Sequence, residues 1–200
     1  MNKTVKILIS IAIIIVLAIA VFLGLKYLKP KSKTNLQPIN SAEDLEALVE
    51  KIYEGVEVEL PAVTTQIVDL TDNEAVKYVT GLENGNDFEY VVESLPLMMA
   101  QPYSLVLAKV KDGVNAQEVA KKMNENIDNR KWVCVTAEKV YTTNSENIIC
   151  LVMTNEENAK IVFESFKNLA GTVGEEFEKT EQIDMPIDIL NQEDIEAVEQ

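Results

Sequence analysis

Residues 104–111 read SLVLAKVK, and this stretch decides the fold class. Leu105 and Leu107 lie two residues apart, which is the period of a β-strand. On either side, strand patterns and helix patterns follow one another along the chain. We predict further strands at 66–70, 87–94, 132–138 and 148–153, and helices at 73–80, 115–127 and 158–170. Single helices that alternate with antiparallel strand pairs indicate an α+β fold. We expect a mostly antiparallel sheet with helices on one face, of the ferredoxin-like or split βαβ type.

The N-terminal part of the chain has the pattern of a membrane anchor. Its uncharged stretch, residues 7–25, begins at Ile7 and ends at Leu25. As a helix with a rise of 1.5 Å per residue, it would span about 28 Å, close to the roughly 30 Å hydrocarbon core of a bilayer. The apolar part of a cleaved signal peptide is shorter, about 7–15 residues. The sequence therefore predicts an uncleaved single-pass transmembrane helix within residues 1–28.

The orientation of this anchor follows from two opposing observations. Four lysines follow the apolar stretch and two precede it, and this count favours a cytoplasmic C-terminal side. A short N-terminal tail before a hydrophobic helix is, however, the ordinary layout of a signal anchor with an exported domain. We predict a cell-membrane protein with its domain outside, and keep a cytoplasmic-facing regulator as the alternative.

The rest of the chain divides by composition into four segments. Two prolines and the lack of periodicity predict a tether at 29–40. Ser41 then resembles a helix N-cap, and a helix with its connection is expected at 41–60, where it either covers the domain or continues the stalk. The α+β domain is predicted at 61–173. Ten acidic residues against Lys179 predict a solvated acidic tail at 174–200.

Composition excludes several classes of function. The 200 residues contain no histidine and two cysteines, so histidine-based catalysis, Ser-His or Cys-His nucleophile pairs and Cys₄ metal sites are excluded. All 33 acidic residues but only 12 of the 18 basic ones follow residue 33, and such a surface repels nucleic acid. The acidic clusters near 69–74 and 83–89 lack the spacing of a calcium loop. No cofactor, metal ion or catalytic residue is predicted.

The two cysteines, Cys134 and Cys150, fall in neighbouring predicted strands. In a simple hairpin they would be neither opposite each other nor on one face, which disfavours a disulfide. Two buried thiols are the favoured interpretation, because free cysteine is among the most buried residue types.

Two short segments are candidates for an interaction surface. Residues 95–103, LPLMMAQPY, place Met98 and Met99 between two prolines and end at Tyr103. Flexible thioethers suit an adaptable protein-binding surface, although the loop could instead complete the core. The second segment contains Arg130, Lys131 and Trp132. Its two positively charged side chains either contact a partner or compensate the dipole of the preceding helix.

These segments also carry a resemblance. The stretches PLMMAQPYSLVLAKVKDG (96–113), NRKWVCV (129–135) and IICLVM (148–153) resemble an uncharacterised family of membrane-anchored proteins and lipoproteins of clostridial Gram-positive bacteria. The similarity covers residues 85–170. In that family the Met-Met and Arg-Lys-Trp elements are the recognisable parts. The resemblance implies an extracytoplasmic α+β domain and no assigned reaction.

Together these observations predict a non-enzymatic, membrane-tethered domain that interacts with an envelope protein. A carboxylate- or cation-dependent envelope hydrolase is the alternative of a different class. It would require an acid with a strongly raised pKa or a bound ion.

Overall fold

The computed structural model describes residues 34–180, with the exception of Met99 and Val133. The predicted anchor at 7–25, the first part of the tether and the last twenty residues lie outside this range. None of the helices in the described part is long and apolar enough to cross a membrane.

The described residues form four helices and one six-stranded sheet. The helices are α1 (Ala42–Glu54), α2 (Asn73–Thr80), α3 (Ala116–Asn126) and α4 (Glu156–Ala170). The strands are β1 (Val63–Ile67), β2 (Phe88–Pro96), β3 (Ser104–Val110), β4 (Lys139–Ser145), β5 (Ile148–Thr154) and β6 (Phe177–Thr180). Their order in the sheet is β1-β2-β3-β5-β4-β6, and every neighbouring pair is antiparallel. The α+β class and the antiparallel sheet are confirmed.

Helices cover both faces of the sheet, so the prediction of helices on one face is wrong. On one face α2 and α3 pack on a core that includes Val106 and Leu151. On the opposite face α1 and α4 pack on a second core that includes Leu105 and Val152. Successive residues of β3 and β5 therefore enter different cores, and these two strands are buried along almost their whole length.

The topology explains this arrangement. β5 lies between β3 and β4 and antiparallel to both, so β3-α3-β4 is a split βαβ unit; β5-α4-β6, with β4 in between, is a second one. Each crossover connects a strand to the strand two positions further along the sheet, and both go in the same direction. They start, however, from strands that run in opposite directions. Two crossovers of the same handedness must then lie on opposite faces of the sheet. In a ferredoxin-like sheet the last strand would pair with the outer edge of β3. Here β2 occupies that edge, and β6 pairs with β4 instead.

The predicted strand at 132–138 is also wrong, because β4 begins only at Lys139. The second half of β4, TTNS (142–145), has the composition of a turn, yet these side chains are buried and form hydrogen bonds. Asn124 of α3 donates to the Thr142 hydroxyl at 3.1 Å, and the Ser145 hydroxyl donates to the Thr172 carbonyl at 2.6 Å. The turn itself is Glu146-Asn147, with Glu146 in the left-handed region at φ 50°.

Segments at both ends of the predicted domain pack onto it. The amide of Asn35 donates to the Ala170 carbonyl at 2.9 Å, and Ile39 is buried beside α1. Helix α1 begins at a capping box formed by Ser41 and Asp44, and it covers the sheet rather than continuing a stalk. Within the predicted acidic tail, residues 177–180 form the edge strand β6.

Candidate functional site

The fold brings both predicted interaction segments to the same end of the sheet. The loop 97–103 joins the end of β2 to the start of β3, and the loop 127–138 leads into the start of β4. The first residues of β3 and β4 pair with neighbouring positions at the end of β5: Ser104 with Met153, and Lys139 with Thr154. Both loops therefore leave the sheet at this end.

The tip of the 97–103 loop is apolar and exposed. Pro96 is the last residue of β2, and beyond it the Leu97 amide donates to the Ala62 carbonyl at 2.8 Å, which continues the pairing with β1 for one residue. The chain then turns, with the Gln101 amide donating to the Met98 carbonyl at 3.2 Å. Leu97 and Met98 are 64% and 70% exposed. Their side chains do not complete the core.

Lys131 instead enters the domain and forms a buried ion pair. Its ammonium lies 2.7 Å from Oε1 of Glu93, and the two side chains are only 3% and 1% exposed. The Ser104 hydroxyl donates to the same carboxylate oxygen at 2.8 Å and accepts from Lys131 at 3.3 Å. These contacts tie the 127–138 loop to β2 and β3. Among the described residues, Oε2 of Glu93 is buried and has no hydrogen-bond partner.

Two aromatic rings surround the Lys131 ammonium. It lies 4.6 Å from the centre of the Tyr78 ring and 5.5 Å from that of the Trp132 ring. Lys131 also donates to the Tyr78 carbonyl, and the Tyr78 hydroxyl donates to the Lys131 carbonyl, each at 3.4 Å. Helix α2 and the 127–138 loop are thereby joined. Burial lowers the pKa of Lys131, and the negative charge and hydrogen bond of Glu93 oppose this shift.

Outside this cluster, a groove of about 470 Å³ lies between the outer parts of α2 and of the 127–138 loop. Exposed Arg130 lines it together with Asp128, whose carboxylate accepts from the Arg130 amide at 2.9 Å. Tyr78 and Lys131 form its inner wall. Because Glu93 and Ser104 lie behind this wall and are fully buried, a substrate in the groove would not reach them.

The remaining two predicted site residues belong to the cores. Trp132 is buried among the side chains packed under α2 and α3. Tyr103 is fully buried on the opposite face, where its hydroxyl donates to that of Tyr53 at 3.0 Å, and Tyr53 donates to Ser94 at 2.7 Å. Of the six predicted surface residues, Met98 and Arg130 are exposed, while Met99 lies outside the described residues.

The two cysteines are free and lie in different environments. Cys134 is exposed in the 127–138 loop, in the left-handed region at φ 62°. Cys150 is fully buried in β5, and burial strongly raises the pKa of its thiol. Only one of the two is therefore the buried thiol that the sequence favours.

The buried ion pair could not be found from sequence alone. One feature of the sequence marks Glu93 as unusual: it is an acidic residue on the same face of a strand as Val91 and Leu95. Its partner is 38 positions away in a loop, and local spacing does not connect the two.

Among residues 34–180, leaving out Met99 and Val133, no group of three acidic or cysteine side chains could hold a metal ion. No family model matches this chain, and no curated protein or solved structure was found to be similar to it. The resemblance to clostridial membrane-anchored proteins therefore stays a prediction.

Proposed function

We propose that this chain is a membrane-anchored accessory protein whose domain lies outside the cell membrane and binds an envelope protein without catalysing a reaction. The observation that carries the proposal is the apolar tip formed by Leu97 and Met98. These two large apolar side chains are adjacent and both more than half exposed, so together they form an apolar patch on which a partner protein can dock. Nucleic acid is not a partner, because the acidic surface repels phosphates.

The position of the tip suits this role. Thr34, from which the chain continues toward the predicted anchor, contacts the C-terminal end of α4 through its bond to the Ala170 carbonyl. That end of α4 lies beside the β4–β5 turn, at the end of the sheet opposite to Leu97 and Met98. Thr34 and the tip therefore lie at opposite ends of the sheet.

The hydrolase alternative finds less support. The contact of Lys131 with Ser104 contains the residue types of a Ser-Lys nucleophile pair. The serine donates its proton to Glu93 rather than to the lysine, and both side chains are buried. This geometry is that of a structural ion pair.

Location can be tested with the native chain, because Cys134 is an exposed reporter. We expect a membrane-impermeant maleimide to label it in intact cells. The matched control Cys134→Ser retains only buried Cys150 and should stay unlabelled. Labelling of the wild type that appears only after lysis would place the domain in the cytoplasm, and the regulator would replace the accessory role.

Binding is tested by a photoreactive residue at position 98 in cells that produce the chain. The control position is Glu146, which is exposed at the opposite end of the sheet. We expect a discrete crosslinked product from position 98, absent from position 146 and lost when Leu97→Ser is added. Equal products from both positions, or none from position 98, would contradict the proposal.

A further inference from the structure

The outer edge of β1 presents backbone groups without partners. Val68 donates to the Val91 carbonyl and Leu97 to the Ala62 carbonyl, which fixes the even-numbered residues of this strand as those bonded to β2. The N–H and C=O groups of Val63, Thr65 and Ile67 therefore point away from the sheet. Within the described part of the chain, no other segment bonds to them.

This edge also lacks the usual protection against pairing. Natural edge strands carry lysine, proline or a bulge that discourages a further strand. β1 reads VTTQI, with no charge and no proline, and four of its five side chains are β-branched. Its pairing with β2 is regular. The opposite edge strand, β6, is shorter and carries Glu178 and Lys179. β1 is thus the edge that can accept a strand.

The surroundings of β1 are apolar and negatively charged. A groove of about 480 Å³ runs from its end to α2, and it contains Ile67 and Tyr78, which are 50% and 42% exposed. Three acidic residues and no basic one line this groove: Asp69, Asp72 and Glu74. Before the strand stand exposed Glu57 and Glu59, and no lysine or arginine occurs from residue 52 to residue 76.

We propose that β1 binds an extended segment of a partner protein by β-strand addition, and that this segment has about five uncharged β-forming residues flanked by lysine or arginine. The outward backbone groups of Val63, Thr65 and Ile67 supply main-chain hydrogen bonds. The acidic residues at both ends of the strand select cationic flanks. The start of β1 lies next to the Leu97–Met98 tip, because Leu97 bonds to Ala62, but the proposed hydrogen bonds are those of the outer edge and do not involve the tip. A second copy of the chain suits the edge less well, because it would bring two sets of these acidic residues together.

The probe is the fluorescent peptide KKVTVTVKK, titrated against the purified full-length chain and followed by anisotropy. We expect it to bind, and to bind at least about tenfold more tightly than EEVTVTVEE at low salt. Equal affinity of the two peptides, or no binding of the lysine peptide at millimolar concentration, would overturn the proposal.

The matched variants are Thr65→Pro and Thr65→Ala. Proline removes an outward N–H that β2 does not use, which an edge strand tolerates, whereas alanine removes only the side chain. We expect at least a tenfold loss of peptide affinity in Thr65→Pro and less than a twofold change in Thr65→Ala. Unchanged peptide affinity in a folded Thr65→Pro protein would refute strand addition.

If Thr65→Pro does not fold, hydrogen exchange in the wild-type chain tests strand addition at β1 instead. The amides of Val63, Thr65 and Ile67 should exchange rapidly alone and slow at least tenfold with the peptide, while those of Thr64 and Gln66 are slow in both. Binding that leaves the three odd-numbered amides fast would contradict the proposal. If they are already slow without peptide, another part of the chain or a second copy covers the edge, and the proposed partner is wrong.

Discussion

Replacing Lys131 by methionine tests whether the buried ion pair holds the 127–138 loop on the sheet. The substitution keeps the length and apolar stem of the side chain and leaves the Glu93 carboxylate buried without its cation. Removal of one partner of a buried pair costs about 3–5 kcal/mol.

We therefore expect Lys131→Met to lower the free energy of unfolding by about 3–4 kcal/mol at pH 7. At about 3 °C per kcal/mol, Tm falls by roughly 10 °C.

The assay is urea unfolding at pH 7, followed by the fluorescence of Trp132, the one tryptophan in the sequence, which is buried in the fold. The double variant Glu93→Gln/Lys131→Met is the control, because the amide keeps an acceptor for Ser104 but carries no charge. It should recover more than half of the loss. A loss below about 1 kcal/mol in the single variant, or a double variant no more stable than the single one, would refute the reasoning.

Three further predictions concern single positions. Met98→Ser should change the free energy of unfolding by less than about 0.5 kcal/mol, because the side chain is exposed; a larger loss in thermal unfolding would return the loop to the core. Gly81→Ala should cost more than about 1 kcal/mol, because φ is 76° and an added Cβ would meet the Ile127 amide nitrogen at 2.5 Å; wild-type stability would mean that helix α2 ends differently. A thiol reagent should modify Cys134 rapidly and Cys150 only in denaturant, because burial raises the pKa of Cys150 and disfavours its thiolate; two fast thiols in the native chain would contradict the packing of β5.

Local chemistry was sufficient to predict most elements. Helix α2 was predicted with its observed limits, since Asp72 caps its first turn and Gly81 ends it in the left-handed conformation. β4 was missed because its second half is polar. Those hydroxyl and amide groups are bonded to α3 and to the segment after α4, and such distant partners leave no local pattern.

The faces of the sheet and the buried ion pair lie beyond the same reasoning. The order of helices and strands along the chain is the same whether the last strand pairs with β3 or with β4. The two topologies differ in which strand occupies the outer edge of β3, and in the structure β2 occupies it. For the loop that contains Met98, the sequence was compatible with a contact surface and with a place in the core, and the structure shows Met98 exposed. The burial of Lys131 and Tyr103 depends on Glu93 and Tyr53, which stand 38 and 50 positions away.

The place of β5 between β3 and β4 has a consequence for the order of folding. β4 is not a hydrogen-bonded neighbour of β3 in the described sheet, and β5 links the two strands; a two-residue turn connects β4 to β5. The β4–β5 hairpin closes a short loop, whereas the pairing of β3 with β5 must first close a loop of nearly forty residues. We therefore expect the hairpin to form early and to dock on β3 as a unit, with this long-range pairing as the slow step that joins the two halves of the domain.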